Sequence, residues 1–150
     1  MNWLLIVIVV VAGAMLPLQA LLNARLGHAT GSGVLASTAS FVVGTVALLA
    51  VMAVMRPALP SLEQAGRFPA WIWVGGLLGA AYVVIATIAV PRLGAAALIS
   101  LVVLGQMTGS ILLDHFGVLH AAQPVNLTRL LGGALVALGA LLVVQPWKHA

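Results

Sequence analysis

Three hydrogen-bonding side chains recur at steps of four within residues 92–117: Gln106, Ser110 and Asp114. On an α-helix that spacing places them one above another on a single face. Gln19 and Asn23 repeat the step near the start of the chain, and Tyr82 adds a phenol. Amide, hydroxyl and phenol groups both donate and accept hydrogen bonds, so this set suits binding of a small polar solute, neutral or zwitterionic. It does not suit catalysis. Asp114 and His115 are adjacent, yet no nucleophile, metal set or third group stands at a useful spacing from them. The four histidines are dispersed and there is no cysteine, so neither a metal centre nor a disulfide framework is expected. Gly75, Gly76 and Gly79 imitate a nucleotide loop only in number, because they lie in an apolar run with no strand before them. No enzymatic activity and no cofactor are expected.

The elements that position these groups must be membrane helices. Of 150 residues, 63% are hydrophobic and 5% charged, and the only acids are Glu63 and Asp114. A soluble domain of this size has no way to hide so much apolar surface. The fold class is therefore all-α and integral to a membrane, since lipid-spanning segments must satisfy their backbone internally. The net charge of +4 is scattered without a basic cluster, which argues against a nucleic-acid partner. In lipid, an unpaired amide costs several kcal/mol on a rough scale. Gln106, near the middle of its apolar run, must then face another helix or a wet cavity.

Five transmembrane helices are expected, at about residues 3–22, 32–55, 71–90, 94–114 and 127–144, forming a single domain over 1–150. The first apolar stretch has no basic n-region and is longer than a signal-peptide core, so it reads as a retained helix. Pro17 can kink it. Gln19 and Asn23 then either lie hydrated at the interface or are aimed into a cavity, and Arg25 marks an aqueous boundary. Ser37, Ser40 and Gly44 form a small-residue stripe suited to helix packing. Residues 56–70 carry three prolines, Glu63 and two arginines and read as an interfacial loop, with Glu63 solvated. Trp71 and Trp73 are interface anchors. Gly75 with Gly79, and Gly105 with Gly109, offer close-packing edges. The Tyr82 hydroxyl serves either a structural bond to a neighbouring carbonyl or a ligand. Pro91, Arg92 and Gly94 predict a tight turn. Asn126 reads as an N-cap, although Asn-Leu-Thr at 126–128 formally fits a glycosylation acceptor. Pro146 stops the last helix, Trp147 sits at the interface, and Lys148 and His149 end in water.

An odd number of spans puts the two ends of the chain on opposite sides. Arg56, Arg67 and Arg129 fall on the side of the N-terminus, and Arg25, Arg92 and Lys148 on the other. Three against three gives no positive-inside bias. Insertion in both orientations and pairing as an antiparallel homodimer follow as a hypothesis, and such a pair reproduces the inverted repeats of many transporters. In it, Asp114 of one copy approaches the side of Gln19 and Asn23 of the other, with Gln106 near the midplane.

PLQALLNARLG at 17–27, SFVVGT at 40–45, GGLLGAAYV at 75–83, PRLGAAA at 91–97, GQ at 105–106, DHFG at 114–117 and RLLGGAL at 129–135 together resemble the YdcZ-type inner-membrane exporters. These are EamA-like members of the drug/metabolite transporter superfamily, and the resemblance covers nearly the whole chain. It implies five-helix protomers working as pairs in the bacterial inner (plasma) membrane, exporting small molecules by alternating access. Gln19, Asn23, Gln106 and Asp114 coincide with recurring motif positions. Small multidrug members carry a glutamate in their first helix for proton exchange. This chain has no carboxylate there, so that coupling does not carry over, and Asp114 at a helix end is better placed to be hydrated or hydrogen-bonded. Membrane lipid, a small-molecule substrate and a second copy are the expected partners. Two other functions fit the composition: a small dual-topology ion channel, disfavoured because the bases sit at the edges, and a non-transporting helical subunit of a larger complex.

Overall fold

The computed structural model describes residues 2–119 and 121–145. Every regular element among them is helical. The long helices are α1 (Trp3–Thr30) and α2 (Gly33–Met55), then α4 (Val74–Leu93), α5 (Ala95–Phe116) and α6 (Leu127–Val144). A short α3 (Leu62–Gly66) and a 3₁₀ turn (Ala70–Trp73) lie between α2 and α4. With the 3₁₀ turn counted into α4, five helices are long and apolar enough to cross a membrane. At most 17% of the most apolar window of any of them is buried within the chain. The apolar surface must therefore be covered by lipid or by another copy.

Caps fix the ends. Asn2, Ser32 and Asn126 each accept from a backbone N–H three residues on, at 3.4, 3.2 and 2.9 Å, which satisfies one of the donors a helix start leaves open. The glycosylation pattern at Asn126 is thus accounted for by capping. The first helix runs uninterrupted through Pro17 to Thr30, eight residues beyond the expected end. Apolar and small residues around Arg25 keep the helical pattern, and the left-handed Gly31 (φ 74°) terminates it. Its 28 residues rise about 42 Å at about 1.5 Å each, against a core of about 30 Å. That length leaves room for the turns that carry Arg25 and His28 to extend past the apolar layer, and Arg25 lies on a helix and not in a loop. Pro91 and Arg92 likewise belong to α4, and the turn is reduced to Gly94 at φ 79°. Within the expected loop, α3 is held by a reciprocal Ser61–Gln64 capping box. Glu63 is not merely solvated, because it pairs with Arg67 at 2.6 Å, one turn along an exposed face. The expectations for Pro146, Trp147, Lys148 and His149 fall outside the described residues.

The chain divides into two compact units, residues 1–91 and 92–150. In the first, α1 packs on α2, and the buried residues come from α1, α2 and α4. Closest approach falls at Gly27 and Gly33. A Cβ on Gly27 would meet Gly33 Cα at 3.3 Å, and one on Gly33 would meet Ile88 Cγ1 at 3.0 Å. A Cβ on Gly79 would meet the Phe41 ring at 3.8 Å, but nothing lies within 4 Å of a Cβ on Gly75. The expected step at 75 and 79 is therefore only half used, because contact with α2 is made one turn further on. Ser37 packs as expected, buried with its hydroxyl oxygen 3.2 Å from Thr87 Oγ1.

In the second unit α5 and α6 form a hairpin. It closes on Gly117 (φ 63°), where Val118 N donates to Leu113 O at 3.0 Å and Gly117 N to Asp114 O at 3.2 Å. This is a Schellman end. A Cβ on Gly117 would stand 2.9 Å from Ala122 N, so the turn admits no side chain. Gly105 and Gly109 meet nothing within 4 Å.

Candidate functional site

Three residues of the first unit are buried and polar among those described: Asn23, Ser37 and Thr87. Ser37 and Thr87 answer each other, and Ser37 also donates to Gly33 O at 2.9 Å. Asn23 is only 6% exposed, and its Nδ2 has no hydrogen-bond partner. Since α1 places Gln19 one turn before it, both reach a small chamber against α4, walled also by Tyr82, Val83 and Ala86. The chamber measures about 10 Å³, the space of a single water. Tyr82 is half-buried and its hydroxyl makes no hydrogen bond among the described residues, so the structural bond to a carbonyl is not formed. Three expected residues thus meet: Gln19, Asn23 and Tyr82. Asn23 is buried in this wall, whereas Gln19 is exposed.

The second unit holds a separate hollow of about 280 Å³, lined by Met107, Ser110, Ile111, Asp114, Arg129 and Gly132. Ser110 and Asp114 share it, as their spacing predicts. Asp114 Oδ2 accepts from Arg129 Nη1 at 3.1 Å, and Arg129 Nη2 donates to Gln123 Oε1 at 2.6 Å. The backbone closes the same knot, with Gln123 N donating to Asp114 O at 2.8 Å. Asp114 is thereby tied into the mouth of the hairpin. Sequence reasoning missed Arg129 as its partner and counted it only toward orientation. A signal existed: the sole acid of α5 lies in its last turn and the sole base of α6 in its first, so a short hairpin brings them together.

Gln106 shares the face of Ser110 and Asp114 but is exposed, lines neither hollow, and makes no hydrogen bond among the described residues. The expectation that it faces a neighbouring helix or cavity is not met within its own unit. Helix α5 meets α6 through other positions, such as Ile111 against Gly133, where a Cβ would lie at 3.3 Å.

Five helices long and apolar enough to cross a membrane define a multi-pass membrane protein. The chain belongs to the family described as "Putative inner membrane exporter, YdcZ", which matches residues 4–142. No curated protein and no solved structure matches it significantly.

Proposed function

We propose that this protein is a secondary transporter that exports a small polar metabolite or drug-like solute by alternating access, and that it works as an antiparallel homodimer. The observation that carries the reading is the unpartnered amide of Asn23, nine-tenths buried beside Gln19 and Tyr82 on helices that cross the membrane. A buried donor without a partner lowers stability, so its retention is accounted for when a passing solute supplies the acceptor. Family membership supports export. Gln106 and the open Gly105/Gly109 edge on α5 support pairing, because an amide on a membrane helix gains from a partner outside its own chain. The even split of six basic residues supports insertion in both orientations.

Purified protein in proteoliposomes tests this. A carrier gives saturable exchange of a labelled polar metabolite, accelerated by unlabelled solute on the far side. Rapid, non-saturating ion flux would replace the carrier with a channel, and no flux of any kind would leave only a structural subunit.

A further inference from the structure

The hydroxyls of the long helices fall into two sets. Thr30, Ser37, Thr38, Ser100 and Thr108 each donate to the carbonyl four residues earlier, at 2.8–2.9 Å. In an apolar helix that carbonyl is the nearest acceptor, so this is the default arrangement. Ser40, Thr45, Ser110 and Thr128 make no such bond among the described residues. Of these, Ser40 and Thr45 line a hollow of about 200 Å³ in the first unit, walled also by Gln19, Phe41, Leu48 and Val83. Gln19 and Val83 belong equally to the wall of the Asn23 chamber. Five groups without partners thus gather around two hollows that share a wall: Gln19, Asn23 Nδ2, Ser40, Thr45 and the Tyr82 hydroxyl.

One water in the Asn23 chamber does not answer five groups spread over α1, α2 and α4. Their chemistry is also uniform. Each side chain carries a hydroxyl or a carboxamide, able to donate and to accept, and no charged residue lines either hollow. A net cation or anion would lose its hydration there without a counter-charge. A solute with several hydroxyls would answer each group in turn and rest its C–H face on Phe41 and Leu48. The larger hollow lies below the roughly 300–1,000 Å³ that drug-sized ligands occupy. Resting on the transport reading above, we propose that these two hollows form the solute site. Its solute is an uncharged polyhydroxylated molecule of monosaccharide or polyol size. One oxygen of the solute accepts from Asn23, and Gln19, Ser40 and Thr45 hold the others.

Counterflow in proteoliposomes of the full chain tests this with labelled D-glucose, D-xylose and myo-inositol, beside alanine as a zwitterion and tetraphenylphosphonium as a lipophilic cation. The expected result is saturable exchange of at least one neutral sugar or polyol and of neither comparison solute. Ser40→Ala and Thr45→Val each raise the half-saturating concentration by about tenfold, the effect of one lost hydrogen bond. Thr108→Val, whose hydroxyl is spent on Leu104 O, leaves it unchanged. Exchange of alanine or the cation in place of the sugars overturns the solute class and leaves the exporter reading standing. Movement of nothing in the panel or in a wider set of polar metabolites removes both. Because the chain has no cysteine, Ser40→Cys gives a second readout: a thiol reagent labels Cys at this position, and the exchanged sugar protects it. Sugar exchange without protection places the site elsewhere.

Discussion

At Asn23 a carboxamide beside a space for one water is buried with its nitrogen unpartnered, while one helix away Ser37 and Thr87 are buried just as deeply and pair with each other. The two situations predict opposite responses to substitution. Asn23→Leu keeps the branched outline and number of side-chain heavy atoms and removes an unmet donor, so thermal unfolding in detergent should shift by less than about 1 kcal/mol, or toward greater stability. Solute exchange by the same variant should be lost. A clear drop in stability with exchange retained would make Asn23 a structural water site. Ser37→Ala removes a made bond and should lower unfolding stability by about 1 kcal/mol, with the affinity for solute unchanged. In the sequence Asn23 and Ser37 read alike, as polar residues at helical spacing in apolar runs. What separates them is the identity of the neighbour across the helix contact, and one chain does not encode that locally. The same holds for Ser40, which reads as part of a packing stripe with Ser37 but turns its hydroxyl to a hollow.

Apolar length specifies each span, because nothing else in lipid satisfies so long a backbone. All five expected helices are present, and the ends of the second and the last agree with the sequence reading. The first runs eight residues further than its sequence suggests because Arg25 is no stop: a helix passes through a basic residue freely once its end projects past the apolar layer. Glycine with positive φ is the better stop signal here, at Gly31, Gly94 and Gly117. Gly117 is the most constrained of these. Gly117→Ala should destabilise the α5–α6 hairpin by about 1–2 kcal/mol from backbone strain alone, and by more from the contact with Ala122, as read from unfolding in detergent. The Asp114–Arg129 pair in the same hairpin contributes less. Both side chains are about one-third exposed, so solvent screens them. A double-mutant cycle with Asp114→Asn and Arg129→Gln should give a coupling of about 0.5 kcal/mol. A coupling several times larger would mean that the pair lies in a drier setting. The pair escapes sequence reading because fifteen residues separate its members, and only the tight turn at Gly117 brings them together.

Read from the sequence, five spans with three basic residues to a side would give the insertion machinery no instruction about direction. The long helices also leave most of their apolar surface, the Gln106 amide and the Gly105/Gly109 edge without a partner inside the chain. Both observations are accommodated if copies insert either way round and pair antiparallel, which supplies the inverted halves that alternating access uses. Orientation is then a handle on activity. Leu59→Lys with Leu62→Lys adds two positive charges to an exposed loop, where the native leucines are 73% and 94% exposed. That should commit every copy to having this loop in the cytoplasm. A reporter at the C-terminus, active on both sides of the membrane for the native chain, should then read from one side only. The biased chain should fail to catalyse exchange alone, for want of an inverted partner. A second variant, Ala29→Lys with Leu93→Lys, adds charge to the helix ends on the opposite side and should be just as inert by itself. Coexpression of the two should restore exchange, because each supplies the orientation the other lacks. Either a native reporter confined to one side or full exchange by one biased variant alone would require a parallel pair or a single-copy carrier, and the unpartnered face of α5 would then need another occupant.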